Sequence, residues 1–245
     1  MPLNTLSFRT ILLRGLLAGL IAGILAGVFA YTTGESSVDA AIAVEHATAA
    51  PDTDGHHDLV SRTGQKAGLF LATGLYGIAM GGLLATAYTL LRRRLRTTDD
   101  TRAALGLAAA ALLGAVIVPF TKYPANPPAV GDPTTIDQRT YSWLAMVVLG
   151  LAAVWAGVIA ARAAPTDRQR PAAAVLGFLV VAATAHLLLP PVDEVPATFP
   201  PSLLWNFRLA ALGTQTVLWT TLGVTFAALL TRTTTRRREH HRTTA

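Results

Sequence analysis

The sequence predicts an all-α integral membrane protein with six transmembrane helices that form a single membrane domain over residues 1–245. Three observations support this fold class. Of the 245 residues, 52% are hydrophobic and only 14% are charged, whereas a soluble domain carries about a quarter charged residues. The apolar residues are concentrated in long uncharged runs, and the basic residues collect in alternate connections between these runs. A bilayer selects this arrangement, whereas a globular core does not.

Six apolar segments are each long enough to cross most of a hydrocarbon core about 30 Å thick. Five of them contain a run of at least 17 residues without Asp, Glu, Lys, Arg or His, and the remaining segment contains only one of these residues, His186, near its C-terminal end. The predicted helices cover about residues 11–31, 67–91, 103–121, 140–161, 171–189 and 209–231. Six crossings place both termini on the same side of the membrane.

The basic residues indicate which side is cytoplasmic, because cytoplasmic loops collect Lys and Arg. With six crossings, 15 of the 20 basic residues lie at the termini and in the two short loops that share their side. Ten of the 14 acidic residues lie in the three opposite loops, 32–66, 122–139 and 190–208. The two faces then carry net charges of about +11 and −5. Both termini and the basic tail 232–245 are therefore predicted to be cytoplasmic, in a multi-pass protein of the inner (plasma) membrane. The tail thus indicates orientation and contact with anionic lipids, and we do not expect nucleic-acid binding.

Glycines recur at every fourth position of the first predicted helix, at Gly15, Gly19, Gly23 and Gly27. Such a smooth ridge permits close helix contact within a membrane. It favours a first helix that is kept in the mature protein. The alternative is a signal peptide cleaved after Ala30, since basic residues precede this apolar run.

The three outer loops carry most of the chemical specificity. The first, 32–66, is acidic and holds three of the six histidines, and a short surface helix is expected to begin after Ser36 and to end before Pro51. The second and third loops hold nine of the 14 prolines. Proline fixes φ near −65° and favours extended backbone before it. These two loops are therefore predicted to be ordered lids.

Cysteine is absent, which excludes thiolate ligands, disulfides and cysteine nucleophiles and leaves His and carboxylates as the strong metal ligands. These ligands suit a divalent first-row ion such as Co²⁺, Ni²⁺ or Zn²⁺. The predicted metal ligands, all in or beside the first and third outer loops, are Glu45, His46, His56, His57, Asp58, His186, Asp193 and Glu194. The alternative for the first loop is a solvated acidic surface. For His186 it is a hydrogen bond to a neighbouring helix.

A second set of polar and aromatic residues is predicted to have structural or gating roles. Its basic members lie at the outer helix ends, against the orientation bias, so each is expected to pair with an acidic residue or a carbonyl group. The favoured pairing joins Arg208 to Glu194 or Asp132. Gln215, two turns into the sixth helix, is expected to line a path or to bridge two helices. The whole set comprises Arg62, Lys122, Tyr123, Asn126, Asp132, Arg139, Trp205, Arg208 and Gln215.

Several catalytic machineries are missing from the sequence. It contains no P-loop, no H-E-x-x-H and no G-x-S-x-G motif, which removes the common signatures of nucleotide hydrolysis, zinc proteolysis and serine hydrolysis. The six apolar runs contain no Asp, Glu, Lys or Arg, so the acidic relays of proton-driven transporters are missing as well. We therefore predict that the protein is not an enzyme and has no permanently bound cofactor.

Four segments resemble the CbtA family of predicted cobalt transporter subunits, and the resemblance covers most of the chain. The most specific segment reads KYPANPPAVGDP and begins at Lys122; the others are Leu59–Arg62 with Gln65, Leu189-Pro190 followed by Glu194–Pro196, and Trp205–Leu209. The resemblance implies a membrane protein of cobalt uptake, linked to cobalamin supply. It also implies a small single-span partner, CbtB, with a histidine-rich end. It supplies no ligand set.

The residues and the resemblance together predict a permease subunit that takes up a divalent transition-metal ion, cobalt by resemblance, from an acidic outer face. Two other functions stay open. One is a non-transporting scaffold that binds a partner or a metalloprotein through its outer loops. The other is an intramembrane enzyme that uses His186, Asp193 and Glu194 as acid–base groups.

Overall fold

Six helices make up the fold in the computed structural model, which describes residues 6–48, 61–95, 97–128 and 130–243. The helices are α1 (Phe8–Thr48), α2 (Arg62–Leu91), α3 (Asp100–Lys122), α4 (Ile136–Ala163), α5 (Arg170–Leu188) and α6 (Pro201–Thr243). A short 3₁₀ turn, Pro133–Thr135, precedes α4. The described ranges contain no β-strand, so the all-α prediction is confirmed.

Within the part of the chain that the structure describes, five helices are long and apolar enough to cross a membrane: α1 over Phe8–Glu45, and the whole of α2, α3, α4 and α5. Large apolar side chains remain exposed on these helices, among them Val148, Leu176 and Leu187, as expected where lipid covers the surface. The sixth predicted span, in α6, is not among the five because Gln215 and several threonines lower its hydropathy. The count of six crossings therefore stays a prediction.

Two helices extend well beyond the predicted apolar spans. Helix α1 continues from the apolar run to Thr48, so the expected separate helix after Ser36 is instead the end of α1. Helix α6 begins at Pro201, in the part of the chain predicted as the third outer loop. Proline suits the first position of a helix, and no proline follows it before Leu209. Helix ends depend on backbone hydrogen bonds, which continue where hydropathy falls.

The residues group into two compact units. The first comprises Met1–Thr32, His57–Ala109 and Thr214–Ala245, and the second comprises Thr33–His56 and Ala110–Gly213. In the first unit, α1 and α2 cross through their glycines: a Cβ at Gly19 would lie 3.1 Å from the Gly81 Cα, and one at Gly23 would lie 3.0 Å from the Gly74 Cα. The predicted glycine ridge is confirmed as a close helix contact.

In the second unit, small residues again set the helix crossings. A Cβ at Gly114 of α3 would lie 3.1 Å from the Leu151 Cα of α4, and a Cβ at Gly177 of α5 would lie 2.8 Å from the Ala160 Cβ of α4. Gly114 lies in a π-helical turn, Leu112–Ile117, just before Pro119. Proline has no backbone N–H to donate, so a wider turn at this point is expected. Helix α3 then ends at Lys122, where the second outer loop begins.

Candidate functional site

The predicted metal ligands of the first outer loop are largely outside the described residues. His56, His57 and Asp58 are not described, nor is the side chain of His46, whose backbone lies in α1. Glu45 is exposed near the end of α1. Within the described ranges, no group of three or more His, Asp and Glu side chains is arranged to hold a metal ion. The predicted ligand set therefore stays a prediction.

Glu194 is the centre of a hydrogen-bond network that joins the segments predicted as the second and third outer loops. Its side chain is only 10% exposed, and its Oε2 lies 3.0 Å from the Arg139 Nη1. The Thr135 hydroxyl donates to Oε1, and the Asp132 backbone N–H donates to Oε2 at 3.3 Å. Hydrogen bonds to an ionised carboxylate are among the stronger ones in proteins. Glu194 therefore anchors the third loop to the start of α4.

A tight turn shapes the second loop around this network. Gly131 has φ +130°, which favours glycine, and a Cβ there would lie 3.1 Å from the Arg139 Cζ. The Asp132 Oδ1 accepts from the Thr134 backbone N–H at 2.8 Å and from the Thr134 hydroxyl at 2.7 Å. These two bonds, with a smaller effect of Arg139, hold the pKa of the Asp132 carboxyl below its ordinary value. The turn thus places the Arg139 guanidinium beside Glu194.

His186 hydrogen-bonds a neighbouring helix, as its alternative interpretation expected. Its Nδ1 lies 3.1 Å from the Ala182 carbonyl oxygen. Since a carbonyl only accepts, Nδ1 carries a proton in this contact. Its Nε2 lies 3.0 Å from the Thr121 hydroxyl at the end of α3, and the same hydroxyl oxygen lies 2.7 Å from the Val118 carbonyl oxygen. In the neutral imidazole with a proton on Nδ1, Nε2 is an acceptor, so the Thr121 hydroxyl donates its single proton to Nε2 and not to Val118.

The first two residues of the KYPANPPAVGDP segment close the C-terminal end of α5. The Lys122 ammonium donates to the His186 carbonyl at 2.8 Å, a favourable place for a cation because the C-terminal end of a helix carries partial negative charge. The Tyr123 hydroxyl donates to the Pro190 carbonyl at 2.6 Å. Burial raises the pKa of the Tyr123 phenol, and a hydrogen bond with Ser142 opposes this shift. Lys122 and Tyr123 therefore hold α5 and the third loop against the end of α3.

Arg208 is bound through an uncharged partner. Its Nη2 donates to the Asn126 Oδ1 at 2.9 Å, whereas its buried Nε has no hydrogen-bond partner among the described residues. Burial lowers the pKa of Arg208, and the negative charge of Asp193 partly opposes this shift. Asp193 itself is exposed. Arg208 and Asp193 thus form a loose electrostatic pair at the surface of the third loop.

The expected pairing of Arg208 with Glu194 or Asp132 is wrong. Arg139 takes both partners instead: it pairs with the Glu194 carboxylate and donates from Nη2 to the Asp132 carbonyl at 3.3 Å. The physical reason is closeness in sequence. Arg139 lies in the first turn of α4, seven residues after Asp132, and its side chain contacts the turn at Asp132.

The remaining predicted residues lie apart from this network. Arg62 donates from Nη1 to the Gln65 Oε1 at 2.6 Å at the start of α2. Trp205 is 59% exposed on α6, as an interfacial aromatic residue is. Gln215 belongs to the first unit, and its amide lies close enough to the Tyr76 hydroxyl of α2 to influence it. Whether Gln215 lines a path or bridges two helices stays a prediction.

Sequence reasoning missed the hydroxyl groups that complete these contacts. Thr121, Thr135 and Ser142 each bind a predicted residue, although none was in the predicted set. The role of Thr121 could have been predicted from its position, because it directly precedes Lys122 at the end of an apolar run. Hydroxyl groups are the usual partners of buried polar side chains between membrane helices.

An apolar cluster lies beside the Glu194 network in the second unit. Ala41 of α1, Val130 of the second loop and Phe199 of the third loop are buried against one another. The two proline-rich loops and the end of α1 therefore share one small core.

Comparison with known proteins yields one match. A family model described as probable cobalt transporter subunit (CbtA) matches residues 8–231, which include the Glu194 network and the turn at Gly131. No curated protein and no solved structure matches the chain.

Proposed function

The chain belongs to the CbtA family of probable cobalt transporter subunits, and on this premise we propose that it is the membrane-spanning subunit through which Co²⁺ enters the cell. The observation that carries the proposal is the family match over residues 8–231. It covers a multi-pass membrane protein in which five helices are long and apolar enough to cross the bilayer. Transport and not catalysis is the activity proposed.

We propose six crossings, with both termini cytoplasmic and the protein in the inner membrane. The sixth crossing is residues 209–231 of α6, which contain no ionisable side chain. The charge difference between the faces supports this orientation. The inside-negative membrane potential would drive Co²⁺ uptake, because each positive charge that enters gains about 2.3 kcal/mol per 100 mV.

The acidic outer face is proposed to collect the ion. Asp193 is the carboxylate of the third loop best placed to meet it, since it is exposed and has only a loose electrostatic partner in Arg208. Its neighbour Glu194 is engaged by three donors, so a ligand role for Glu194 requires the network to open.

His186 is proposed as a nitrogen ligand near the same face. Its Nδ1 is oriented by the Ala182 carbonyl, and histidine ligands commonly donate their second ring nitrogen to such a group. The Thr121 hydroxyl then competes with the ion for Nε2. The first-loop residues Glu45, His46, His56, His57 and Asp58 complete the proposed ligand set.

The family describes a subunit, which implies a partner in a transporter complex. We propose that this partner is a small single-span protein with a histidine-rich end, like CbtB. Such an end would present further imidazole ligands to a borderline divalent ion. No permanently bound cofactor is proposed, because Co²⁺ is the cargo.

The deciding experiment is metal uptake in a strain that lacks the gene, complemented with this chain with and without its small partner. We expect uptake of Co²⁺ to exceed that of Ni²⁺, Zn²⁺ and Mg²⁺. The Asp193→Asn variant is expected to lower the initial rate at low Co²⁺. The matched control Asp137→Asn removes the same charge from another exposed site in the first turn of α4, and its rate should stay near that of the parent.

Complementation that restores no Co²⁺ uptake, with or without the partner, would refute the transport role. Equal rates for Asp193→Asn and the control would remove Asp193 from the proposed path and leave the family assignment intact.

One observation favours the scaffold as a second candidate. The Glu194 network and the cluster of Ala41, Val130 and Phe199 hold two outer loops together, and a preformed surface of this kind suits docking of another protein. Purified protein in liposomes distinguishes the two functions. Accumulation of Co²⁺ under an inside-negative potential supports transport, whereas co-purification of the partner without accumulation supports a scaffold.

A further inference from the structure

Two buried polar atoms lie one turn apart on the same face of α6. The Gln215 Oε1 and the Trp219 Nε1 are both fully buried, and neither has a hydrogen-bond partner among the described residues. Residues four apart on a helix are neighbours, with Cβ atoms about 5–6 Å from each other. The face they share is interior, because it continues through Leu222 and Phe226, which are both completely buried.

The pair is chemically mixed, with one acceptor and one donor. The Gln215 Oε1 is an acceptor only. The Trp219 indole is a donor only. A buried polar atom without a partner destabilises the folded state, because it has lost its hydrogen bond to water. Two such atoms on one interior face therefore favour a ligand that both accepts and donates.

We propose that Gln215 and Trp219 bind a buried water molecule, whose oxygen accepts from the indole N–H and whose hydrogen is donated to the Gln215 Oε1. Buried waters characteristically join polar groups that otherwise have no partner. If the Gln215 amide is rotated by 180°, its N–H and the Trp219 indole N–H both face the site. A water oxygen can accept from both donors, because it has two lone pairs.

The same chemistry distinguishes a neutral water from an aqua ligand of the transported cation. The lone pair of an aqua ligand points towards its metal ion, so that ligand is a poor acceptor for the indole N–H. An N–H dipole also opposes the approach of a cation. The site is therefore a resident water site within the first unit, and it stands whether or not Co²⁺ is transported.

The test is nuclear magnetic resonance of the full-length protein in lipid nanodiscs, with ¹⁵N-labelled indole groups. The chain has four tryptophans, and loss of one peak in Trp219→Phe assigns the Trp219 signal. We expect a cross-peak from the Trp219 indole proton to long-lived water. Absence of this cross-peak in the parent protein would overturn the proposal, and this measurement needs no substitution at the site.

Three further arms test the partners. Gln215→Met keeps the length of the side chain and removes its polar atoms, so the water cross-peak should be lost; a retained cross-peak would contradict the role of Gln215. Thr220→Val, at an exposed position of the same helix, should retain it. Paramagnetic Co²⁺ is expected to broaden the Trp219 signal no more than the other three indole signals. Selective broadening that Mg²⁺ does not reproduce would assign the oxygen to the cation and overturn the resident water.

Discussion

Glu194→Gln tests the anchor between the two proline-rich outer loops. The substitution keeps the size of the side chain and removes its charge, so Arg139 loses its carboxylate partner. Three donors converge on Glu194, and the new amide N–H₂ must face one of them. A hydrogen bond to a charged group contributes about 1.5–3 kcal/mol. Because the Arg139 side chain is 30% exposed and water can replace part of the loss, we expect local opening to become easier by about 2–3 kcal/mol.

Amide hydrogen exchange in detergent or nanodiscs measures this change directly. A cost of 2–3 kcal/mol corresponds to exchange that is about 30- to 150-fold faster in loops 122–139 and 190–208, if exchange follows local opening. Exchange in α2, which lies in the other unit, should not change. Asp193→Asn is the matched control, since it removes an exposed charge at the next position and should alter exchange by about twofold or less. Equal protection in Glu194→Gln and the parent, or equal loss in both variants, would refute the anchor.

Three other substitutions test the local structure. Gly131→Ala should also deprotect the second loop, by about 1–3 kcal/mol, because φ +130° is strained for a residue with a Cβ and because that Cβ would displace the Arg139 guanidinium; unchanged exchange would contradict this. Gly19→Ala should lower the yield and thermal stability of folded protein, whereas Gly68→Ala, where a Cβ meets no atom within 4 Å, should be tolerated; the ridge is refuted if the two behave alike. The lowered pKa of Asp132 makes its stabilising effect complete above the ordinary value of 3.8 and lost as pH falls through its folded-state value. Limited proteolysis of the second loop should therefore accelerate less on acidification in Asp132→Asn than in the parent, with Asp137→Asn as the control, and equal acceleration in all three would exclude this effect.

Much of the fold was predictable because hydropathy reports a local property. Transfer of a helical segment into lipid depends on its own side chains, so the apolar spans within α1 to α5 are visible in the sequence. The helix ends were less predictable. Helix α1 continues to Thr48 past the end of its apolar run, since a backbone hydrogen bond forms equally well beside polar side chains. Hydropathy therefore located the membrane segments and not the complete helices.

The candidate site was less predictable because its contacts depend on tertiary structure. Composition indicated that the outer basic residues pair with acids or carbonyls, but Arg139 and Arg208 are chemically identical in the sequence. What separates them is position: Arg139 follows the turn at Gly131, whereas Arg208 reaches Asn126. Asp193 and Glu194 are consecutive and were both predicted as metal ligands, but their burial differs sharply.

The different surroundings of Asp193 and Glu194 suggest how an outer loop presents a ligand. They are consecutive residues, so a backbone that holds Glu194 against Arg139 also determines where Asp193 lies. An exposed carboxylate on a mobile loop would lose conformational freedom when it binds an ion, and this entropic cost would weaken binding. Anchoring its neighbour removes part of that cost before the ion arrives. Arg208 near Asp193 has the opposite effect, because its charge competes with the cation for the carboxylate. In its proposed ligand role, Asp193 would be preorganised by the first feature and would hold the ion less tightly because of the second, and a ligand that both positions and releases a cation suits a transport path better than a storage site.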